Sequence, residues 1–408
     1  MKRFIVIVID GFGIGAMEDT ASIRPMDVSA NTFKSILSKY PDLKLPNLSY
    51  LGLMNAYGKE SKYNYFSSVA NFGKSKLFHY GADTFLGHQE IMGTKVSRPI
   101  DMCINESIDQ IEEELVKHGH EVKRIGLKPL QYLLVDKLIS VADNIDSDLG
   151  QAINCIAPLD FISFEKLLEV GKIVRSVVKC NRVITFGGTN NTIDDILNAE
   201  ETKENRYIGN VAVKTKSYLH NYQVLHLGYG VDSSVQAPTL LGKNGIPTVL
   251  LGKVADIVVN PYGKSISCVD STEVLDLTIQ AIQDYPLGFI CTNVQETDLA
   301  GHSMNTQWYK ELLEIVDRKL GEIIPLLEEQ DVLVVMADHG NDPEIGHNRH
   351  TREYTPLLVY TPNTQGKYLN IRDTMADVGA SACDYFDVEK PQFGKSFLKD
   401  LLSKSSNK

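Results

Sequence analysis

The chain of 408 residues is long enough for two domains and a large buried core. Its apolar fraction of 43% and charged fraction of 23% are ordinary for a globular protein. The net charge of −11 argues against a nucleic-acid-binding protein, which usually presents a basic face. No apolar segment approaches the roughly 18 residues of a membrane-spanning helix.

The start of the chain, MKRFIVIVID, has the basic residues and apolar run of a signal peptide. However, the run is short and ends on Asp10, with no small-residue cleavage site directly after it. The cysteines are widely scattered and form no C-x-x-C pair, which is typical of reduced thiols that pack in a core. We therefore expect a cytoplasmic protein.

Short runs that are apolar at nearly every position predict strands buried on both faces, as in a parallel sheet. These runs are FIVIVI (4–9), PTVLLG (247–252), GFICTNV (288–294), VLVVMA (332–337) and PLLVY (356–360). Between them, residues 272–285 and 306–329 have the periodicity of amphipathic helices. The alternation predicts an α/β sandwich with a mostly parallel central sheet.

The middle third of the chain lacks long buried runs. Residues 108–119 and 164–178 predict helices, and the shorter stretches 138–143 and 182–187 predict strands. We therefore predict a smaller α+β domain at residues 98–222, inserted into a core formed by residues 1–97 and 223–408. The tail SKSSNK (403–408) is expected to fray.

Residues that commonly bind metals follow three of the predicted strands. They are Asp10 after FIVIVI, Asp298 and His302 after GFICTNV, and Asp338 with His339 after VLVVMA. In open α/β sheets, functional groups gather beyond the carboxyl ends of the strands, because the loops there converge on one edge. If His350 folds back from its loop, it joins the same group.

The stretch GADTFLGHQEIMG (81–93) adds a candidate nucleophile. Thr84 lies at the start of a predicted helix, where backbone N–H groups and the helix dipole favour an anion. A threonine hydroxyl is a poor nucleophile at neutral pH and needs a base or a metal to activate it.

Each of these residues also has a simpler interpretation. Asp10 followed by glycine is common turn chemistry, and Thr84 by itself is more often a helix N-cap than a nucleophile. Asp298 and His302 have the spacing of an ordinary exposed helix pair. These interpretations do not explain why the residues fall together at strand ends. For His347, Asp342 and Glu344 we expect structural roles.

Taken together, several motifs resemble those of the phosphopentomutase family, which belongs to the alkaline-phosphatase-like metalloenzymes. The motifs are Asp10 after the first strand, DTFLGHQEIMG (83–93), GKVADI (252–257), DLAGH (298–302), and DHGNDP (338–343) with HTRE (350–353) downstream. The resemblance covers residues 1–97 and about 223–408, whereas the middle third, which corresponds to the family's cap domain, matches more weakly.

The resemblance implies a ligand set for two divalent metal ions. Asp298, His302 and His350 would bind one ion, and Asp10, Asp338, His339 and the Thr84 hydroxyl would bind the other. Manganese is favoured by the share of carboxylate ligands and by the family's use of it, with zinc as the second choice. The resemblance also implies substrate contacts by Lys253, by Asp143 in SVADN and by Arg182 in RVITFGG. The simpler interpretations are a solvated lysine just after a strand and, for Asp143 and Arg182, surface residues.

The function implied is a phosphomutase that moves phosphate between the 1- and 5-positions of a small phosphorylated sugar through phospho-Thr84, with a sugar bisphosphate as activator. An inserted cap large enough to exclude water favours a mutase over a phosphatase. The segment ITFGG (184–188) departs from the family's pattern, so a mutase or phosphatase acting on another small phosphorylated metabolite is an alternative. A metal-free sugar-binding or scaffold protein is the non-enzyme alternative. The oligomeric state is left open.

Overall fold

The computed structural model describes residues 1–146 and 149–402. The chain folds as two compact units: a core unit, formed by residues 1–96 and the chain from residue 232 onward, and an inserted unit of residues 97–231. The tail at residues 403–408, for which the sequence predicts fraying, lies outside the described residues. None of the helices in the described part of the chain combines the length and the apolar character needed to span a bilayer.

The core unit is built on an eight-stranded sheet with the strand order β12-β11-β13-β1-β14-β15-β2-β16. Its strands are β1 (Lys2–Ile9), β2 (Asn71–Ser75), β11 (Thr248–Leu251), β12 (Lys264–Ile266), β13 (Leu287–Val294), β14 (Val332–Met336), β15 (Thr355–Tyr360) and β16 (Tyr368–Arg372). The pairs from β12 to β14 are parallel, β15 is antiparallel to both of its neighbours, and β16 is parallel to β2. The predicted α/β fold with a mostly parallel sheet is therefore confirmed.

The apolar runs are continuous because both faces of this sheet are buried. In β1, Ile5, Ile7 and Ile9 belong to the apolar cluster on one face, whereas Phe4, Val6 and Val8 belong to the cluster on the other. Successive side chains of a strand point to opposite faces, so a strand covered on both sides needs an apolar residue at every position.

Helices cover the two faces of the core sheet. They are α1 (Thr20–Ile23), α2 (Thr32–Lys39), α3 (Pro46–Leu51), α4 (Leu53–Tyr57), α5 (Thr84–Ile91), α9 (Ala237–Lys243), α10 (Lys253–Ile257), α11 (Ser271–Asp284), α12 (Glu296–His302), α13 (Thr306–Ile323), α14 (Ala376–Tyr385) and α15 (Leu398–Leu402). The sequence predicts α11 within one residue at each end but extends α13 to residue 329. The helix ends earlier, before a 3₁₀ turn at Ile324–Leu326, because Pro325 cannot continue the α-helical hydrogen bonding.

The inserted unit has its own six-stranded sheet, with the order β10-β7-β6-β5-β4-β3. Its elements are α6 (Ile108–Lys117), β3 (Val122–Leu127), β4 (Leu130–Val135), β5 (Ile139–Asp143), β6 (Ala152–Pro158), α7 (Phe164–Val177), β7 (Arg182–Gly188), α8 (Ile193–Leu197), β8 (Glu200–Lys203), β9 (Tyr207–Asn210) and β10 (Gln223–Gly228). Strands β8 and β9 form a separate hairpin.

The sequence places the second boundary of the insertion at residue 222, but the inserted unit continues to residue 231. The reason is β10, which pairs antiparallel with β7 over its full length, from Gln223 opposite Gly187 to Gly228 opposite Arg182. QVLHLG is short and only partly buried, so it carries none of the strong apolar signal of the core strands.

Asp143, for which the resemblance implies a substrate contact, lies at the end of β5 and is 1% exposed. Its two carboxylate oxygens accept hydrogen bonds from the backbone N–H groups of Ile104 (2.6 Å) and Ile208 (3.0 Å). Burial raises the pKa of the Asp143 carboxyl to about 7, although both backbone hydrogen bonds oppose that shift. The structure gives this carboxylate a structural role, and a substrate contact stays a prediction from the resemblance.

We expect Asp143→Ala to destabilise the protein by about 2–5 kcal/mol, because two buried N–H donors lose their acceptor and each costs roughly 1–3 kcal/mol. Thermal and urea denaturation measure the loss. The matched control is Asp194→Ala, which removes an exposed aspartate of the same unit and should change stability little. If both variants are equally stable, the carboxylate does not hold these strands together.

Candidate active site

Four adjacent parallel strands deliver charged side chains to the same edge of the core sheet. Asp10 follows β1, Asp338 follows β14, Lys253 follows β11 after one glycine, and Asp298 lies in α12, directly after β13. The strands β11, β13, β1 and β14 are consecutive in the sheet and parallel, so their carboxyl ends lie side by side. The structure therefore brings these residues together at one edge of the sheet, as the sequence predicts.

Three carboxylates are buried at this edge. Asp10 and Asp338 are 0% exposed and Asp298 is 2% exposed. The Lys253 ammonium lies 3.0 Å from Asp10 Oδ2 and 3.2 Å from Asp298 Oδ2. Because burying charge without a counter-charge is very costly, this cluster needs more positive charge than one ammonium supplies.

The predicted histidines lie against these carboxylates. His339 Nε2 is 3.4 Å from Asp10 Oδ1 and 3.3 Å from Asp338 Oδ2. His350 Nε2 is 3.3 Å from Asp298 Oδ1, and His302 Nε2 is 3.4 Å from Asp298 Oδ2. His350 joins this group only if it folds back from its loop, and it does so in the structure.

Each of these imidazoles is oriented by a backbone carbonyl at its other nitrogen. His302 Nδ1 is 2.7 Å from Asn348 O, His339 Nδ1 is 3.0 Å from Gly340 O, and His350 Nδ1 is 3.2 Å from Ala82 O. A hydrogen on each Nδ1 leaves Nε2 with a lone pair, which is the usual arrangement of metal-binding histidines.

The Nε2 atoms of the three imidazoles therefore converge on the carboxylates and on one another. His302 Nε2 and His350 Nε2 are only 3.0 Å apart. Among the described residues, His339 Nε2 and Asp10 Oδ1 are buried without a hydrogen-bond partner. Buried polar atoms almost always have partners, so this geometry fits a centre completed by cations.

Two groups of residues can each hold a metal ion, with all ligand atoms of a group within 4.8 Å of one another: Asp298, His339 and His350, and Asp10, Asp338 and His339. Carboxylate oxygen and imidazole nitrogen together suit Mn²⁺ or Zn²⁺. His339 belongs to both groups, whereas the resemblance places it in only one. His302 belongs to neither group at this distance, but its nitrogen faces His350.

The electrostatics of the metal-free cluster follow from burial and close opposite charges. Burial by itself would lower the pKa of His339, but the carboxylates of Asp338, Asp298 and Asp10 outweigh it and raise that pKa to about 10. For Asp298, burial is outweighed by the charges of Lys253 and His350, so the pKa of its carboxyl lies well below the usual range. The Asp298 carboxylate therefore stays ionised and available to a cation.

Thr84 contacts this cluster directly. Its hydroxyl donates a 2.7 Å hydrogen bond to Asp338 Oδ2, across 254 positions of sequence. Thr84 is the first residue of α5, and the helix N-cap is Asp83, whose side chain accepts a hydrogen bond from Leu86 N–H. The simpler interpretation of Thr84 as the cap is therefore wrong, and its hydroxyl is available to the site.

Gly87 allows α5 to approach this closely, because a Cβ at that position would lie 2.9 Å from the Asp338 carbonyl oxygen. His88 has Nδ1 2.9 Å from the Thr84 carbonyl oxygen and Nε2 3.0 Å from Asn293 Nδ2. Together these contacts hold α5 against the ends of β13 and β14.

The HTRE motif also joins the site to distant loops. Arg352 donates to the carbonyl oxygens of Leu77, His79 and Gly81, in the segment that leads to Thr84, and forms an ion pair with Asp19. Buried Glu353 accepts hydrogen bonds from Gly15 N–H and from the side chains of Thr32 and Thr351.

Sequence reasoning missed two asparagines that orient the carboxylates. Asn293 Nδ2 donates to Asp10 Oδ2 at 3.1 Å, and Asn341 Nδ2 donates to Asp298 Oδ1 at 2.8 Å. Both left a signal: Asn293 is a polar residue within the buried run GFICTNV, and Asn341 lies inside DHGNDP.

The three residues expected to be structural lie outside the cluster. His347 Nε2 is 3.2 Å from Asp27 Oδ1, Asp342 accepts from Asn31 N–H and Ser35, and Glu344 forms an ion pair with Lys39. Arg182 is half-buried at the start of β7 in the inserted unit. Its substrate contact therefore stays a prediction.

We expect His350→Ala to lower the bound divalent metal below about two ions per chain, because it removes one imidazole from the candidate centre. Elemental analysis of protein purified without chelator measures this content. His347→Ala is the matched control, three positions away and bound to Asp27, and should leave the metal content unchanged. Equal metal content in both variants would exclude His350 as a ligand.

Comparison with known proteins supplies the family. The model of the metalloenzyme superfamily matches residues 2–390. The phosphopentomutase of Clostridioides difficile (strain 630) is 30% identical over 419 residues, which cover 98% of this chain and 100% of the relative.

Among solved structures, phosphoglycerate mutase of Leishmania mexicana aligns with a TM-score of 0.46 and 11% identity over 97% of each chain. Alkaline phosphatase from the Antarctic bacterium TAB5 aligns with a TM-score of 0.37 and 10% identity, over 95% of this chain and 98% of that one. On the strength of the family model and the full-length match at 30% identity, the chain belongs to the metalloenzyme superfamily and, within it, to the phosphopentomutase family.

Proposed function

We propose that the protein is a metal-dependent phosphomutase that interconverts the 1- and 5-phosphates of a small sugar through a phosphothreonine at Thr84. The observation that carries the proposal is the 2.7 Å hydrogen bond from the Thr84 hydroxyl to Asp338, inside a buried cluster that needs cations. Membership of the phosphopentomutase family supports an isomerase-type phosphoryl transfer.

Asp298, His302 and His350 would hold one divalent ion, and Asp10, Asp338, His339 and Thr84 would hold the other. When bound, such ions lower the pKa of a coordinated hydroxyl and stabilise negative charge on transferring phosphoryl oxygens. Manganese is our first choice because oxygen ligands make up much of the set, and zinc is the second.

In this proposal, Thr84 accepts and returns the phosphoryl group. Asp338 accepts its hydroxyl hydrogen, which directs the Oγ lone pairs away from that carboxylate. Thr84 is the first residue of α5, and the positive end of a helix dipole favours an anionic group at such a position.

In the proposed cycle, the phosphoryl group on Thr84 passes to the free hydroxyl of a sugar monophosphate, which gives a sugar bisphosphate. The bisphosphate then reorients in the site, and Thr84 takes the phosphoryl group from the position that was phosphorylated in the original substrate. A sugar bisphosphate supplied from outside would load Thr84 and so act as an activator. Lys253 and Arg182 are our candidates for contacts with the rest of the substrate.

The substrate we favour is ribose phosphate, because the full-length relative is a phosphopentomutase. The segment ITFGG (184–188) falls in the inserted unit, where the resemblance is weakest. Phe186 of this segment is buried and stacks on Tyr218, with ring centroids 5.8 Å apart. Another small phosphorylated sugar is therefore the second candidate substrate.

With ribose 1-phosphate, Mn²⁺ and a bisphosphate activator, we expect ribose 5-phosphate to form without release of inorganic phosphate. Both products are measured in the same reaction, with chelator-treated enzyme as the control. Phosphate release without isomer would replace the mutase with a phosphatase. Neither product, in a preparation that contains metal, would point to a different sugar phosphate.

Thr84→Val should abolish turnover, because valine keeps the shape of threonine but removes the hydroxyl that carries the phosphoryl group. Thr84→Ser keeps a hydroxyl and should retain measurable activity. Mass spectrometry after incubation with a sugar bisphosphate should find phosphate on residue 84 in the wild type and the serine variant. Phosphate found only at another residue would rule out the route through Thr84.

A further inference from the structure

We propose that Lys253 is a built-in counter-cation of the metal-free centre, whose ammonium competes with divalent metal for Asp10 and Asp298. The inference rests on the proposed function, because it requires the carboxylate and imidazole cluster to be a metal centre. It goes beyond that function by assigning Lys253 a role in stability and in metal affinity.

The position of the ammonium carries the inference. Lys253 Nζ lies 3.0 Å from Asp10 Oδ2 and 3.2 Å from Asp298 Oδ2, and the side chain is only 15% exposed. Asp10 and Asp298 belong to different candidate metal groups. The ammonium therefore bridges the two groups by occupying one oxygen of each carboxylate.

The backbone places Lys253 firmly in this position. It is the first residue of α10, directly after Gly252, whose φ of +77° is accessible mainly to glycine. A Cβ at Gly252 would lie 2.4 Å from the carbonyl oxygen of Asn293, the residue whose side chain also binds Asp10. Helix α10 thus starts in close contact with β13, and the lysine reaches the ends of both β13 and β1.

Electrostatics give the ammonium its role. Without it, the buried carboxylates of Asp10, Asp298 and Asp338 would depend for counter-charge on the neighbouring histidines alone, with amides and the Thr84 hydroxyl as further partners. A buried ion pair that loses one partner is strongly destabilised, because the remaining charge is left uncompensated. Lys253 therefore allows the centre to fold before any metal binds.

The same contacts oppose metal binding. An ion bound through Oδ1 of Asp10 or Asp298 lies close to the ammonium on Oδ2, so the two like charges repel, and an ion that needs Oδ2 must displace the ammonium. Both effects reduce the metal affinity. By thermodynamic linkage, a group that stabilises the metal-free folded state more than the metal-bound state lowers the affinity for metal by the same free energy. Once displaced, the ammonium is available to an anionic group at the same edge.

The test compares Lys253→Gln with the wild type in two measurements, neither of which requires turnover. We expect the melting temperature of the chelator-treated protein to fall by several degrees in Lys253→Gln, and that of the Mn²⁺-saturated protein to fall much less. Calorimetric titration of the metal-free protein with MnCl₂ should show affinity raised about tenfold, a typical coupling between two competing ligands.

Two controls separate this role from a general structural one. Lys253→Arg keeps the positive charge and should retain most of the metal-free stability, whereas Lys39→Gln removes a surface ion pair with Glu344 and should change neither quantity. If Lys253→Gln folds only when purified with Mn²⁺, that result also supports the proposal.

Several outcomes would overturn the inference: unchanged metal-free stability, equal loss of stability with and without Mn²⁺, or weaker Mn²⁺ binding in Lys253→Gln. These failures differ from failure of the proposed function. A wild-type protein that binds no divalent metal would remove the metal centre itself, whereas a wild type that binds Mn²⁺ no more weakly than Lys253→Gln removes only the role of Lys253.

Discussion

The burial of three carboxylates at the ends of neighbouring parallel strands is the constraint on which the site depends. Asp10, Asp298 and Asp338 are excluded from water, so their charges need cations close by. An ammonium and several imidazoles partly meet that need in the metal-free chain. The chemistry proposed for Thr84 uses the same condition, since the cations that neutralise the carboxylates also neutralise a phosphoryl group.

Buried Glu90, outside the cluster, holds together the segments that carry Thr84. Glu90 accepts hydrogen bonds from the backbone N–H groups of Phe78, His79 and Met375, and from the His79 and Thr374 side chains. Burial alone would raise the pKa of Glu90, but the hydrogen bonds and the charge of His79 lower it. The carboxylate therefore joins α5 to the segment before Thr84 and to the start of α14.

Elements distant in sequence meet at the candidate nucleophile. Thr84 comes from a helix between β2 and the inserted unit, whereas Asp338 follows a central strand, and one hydrogen bond joins them. Arg352 adds a second link, because it binds the carbonyl oxygens that precede Thr84 while its neighbour His350 lies at the cluster. The candidate nucleophile and the candidate metal ligands are thus positioned by the same strand ends and loops.

The sequence by itself determined the core fold and most of the candidate site. Runs such as FIVIVI predict strands of a sheet covered on both faces, and polar residues at the carboxyl ends of parallel strands gather at one edge. Tertiary structure alone decided the rest. Strand β10 has no strong apolar pattern, so its pairing with β7 became visible only in three dimensions. The resemblance implies substrate contacts for both Asp143 and Lys253. In the structure, the Asp143 carboxylate accepts hydrogen bonds from two backbone amides, and Lys253 bridges two buried aspartates. Such partners are set by packing between distant segments, which local sequence does not encode.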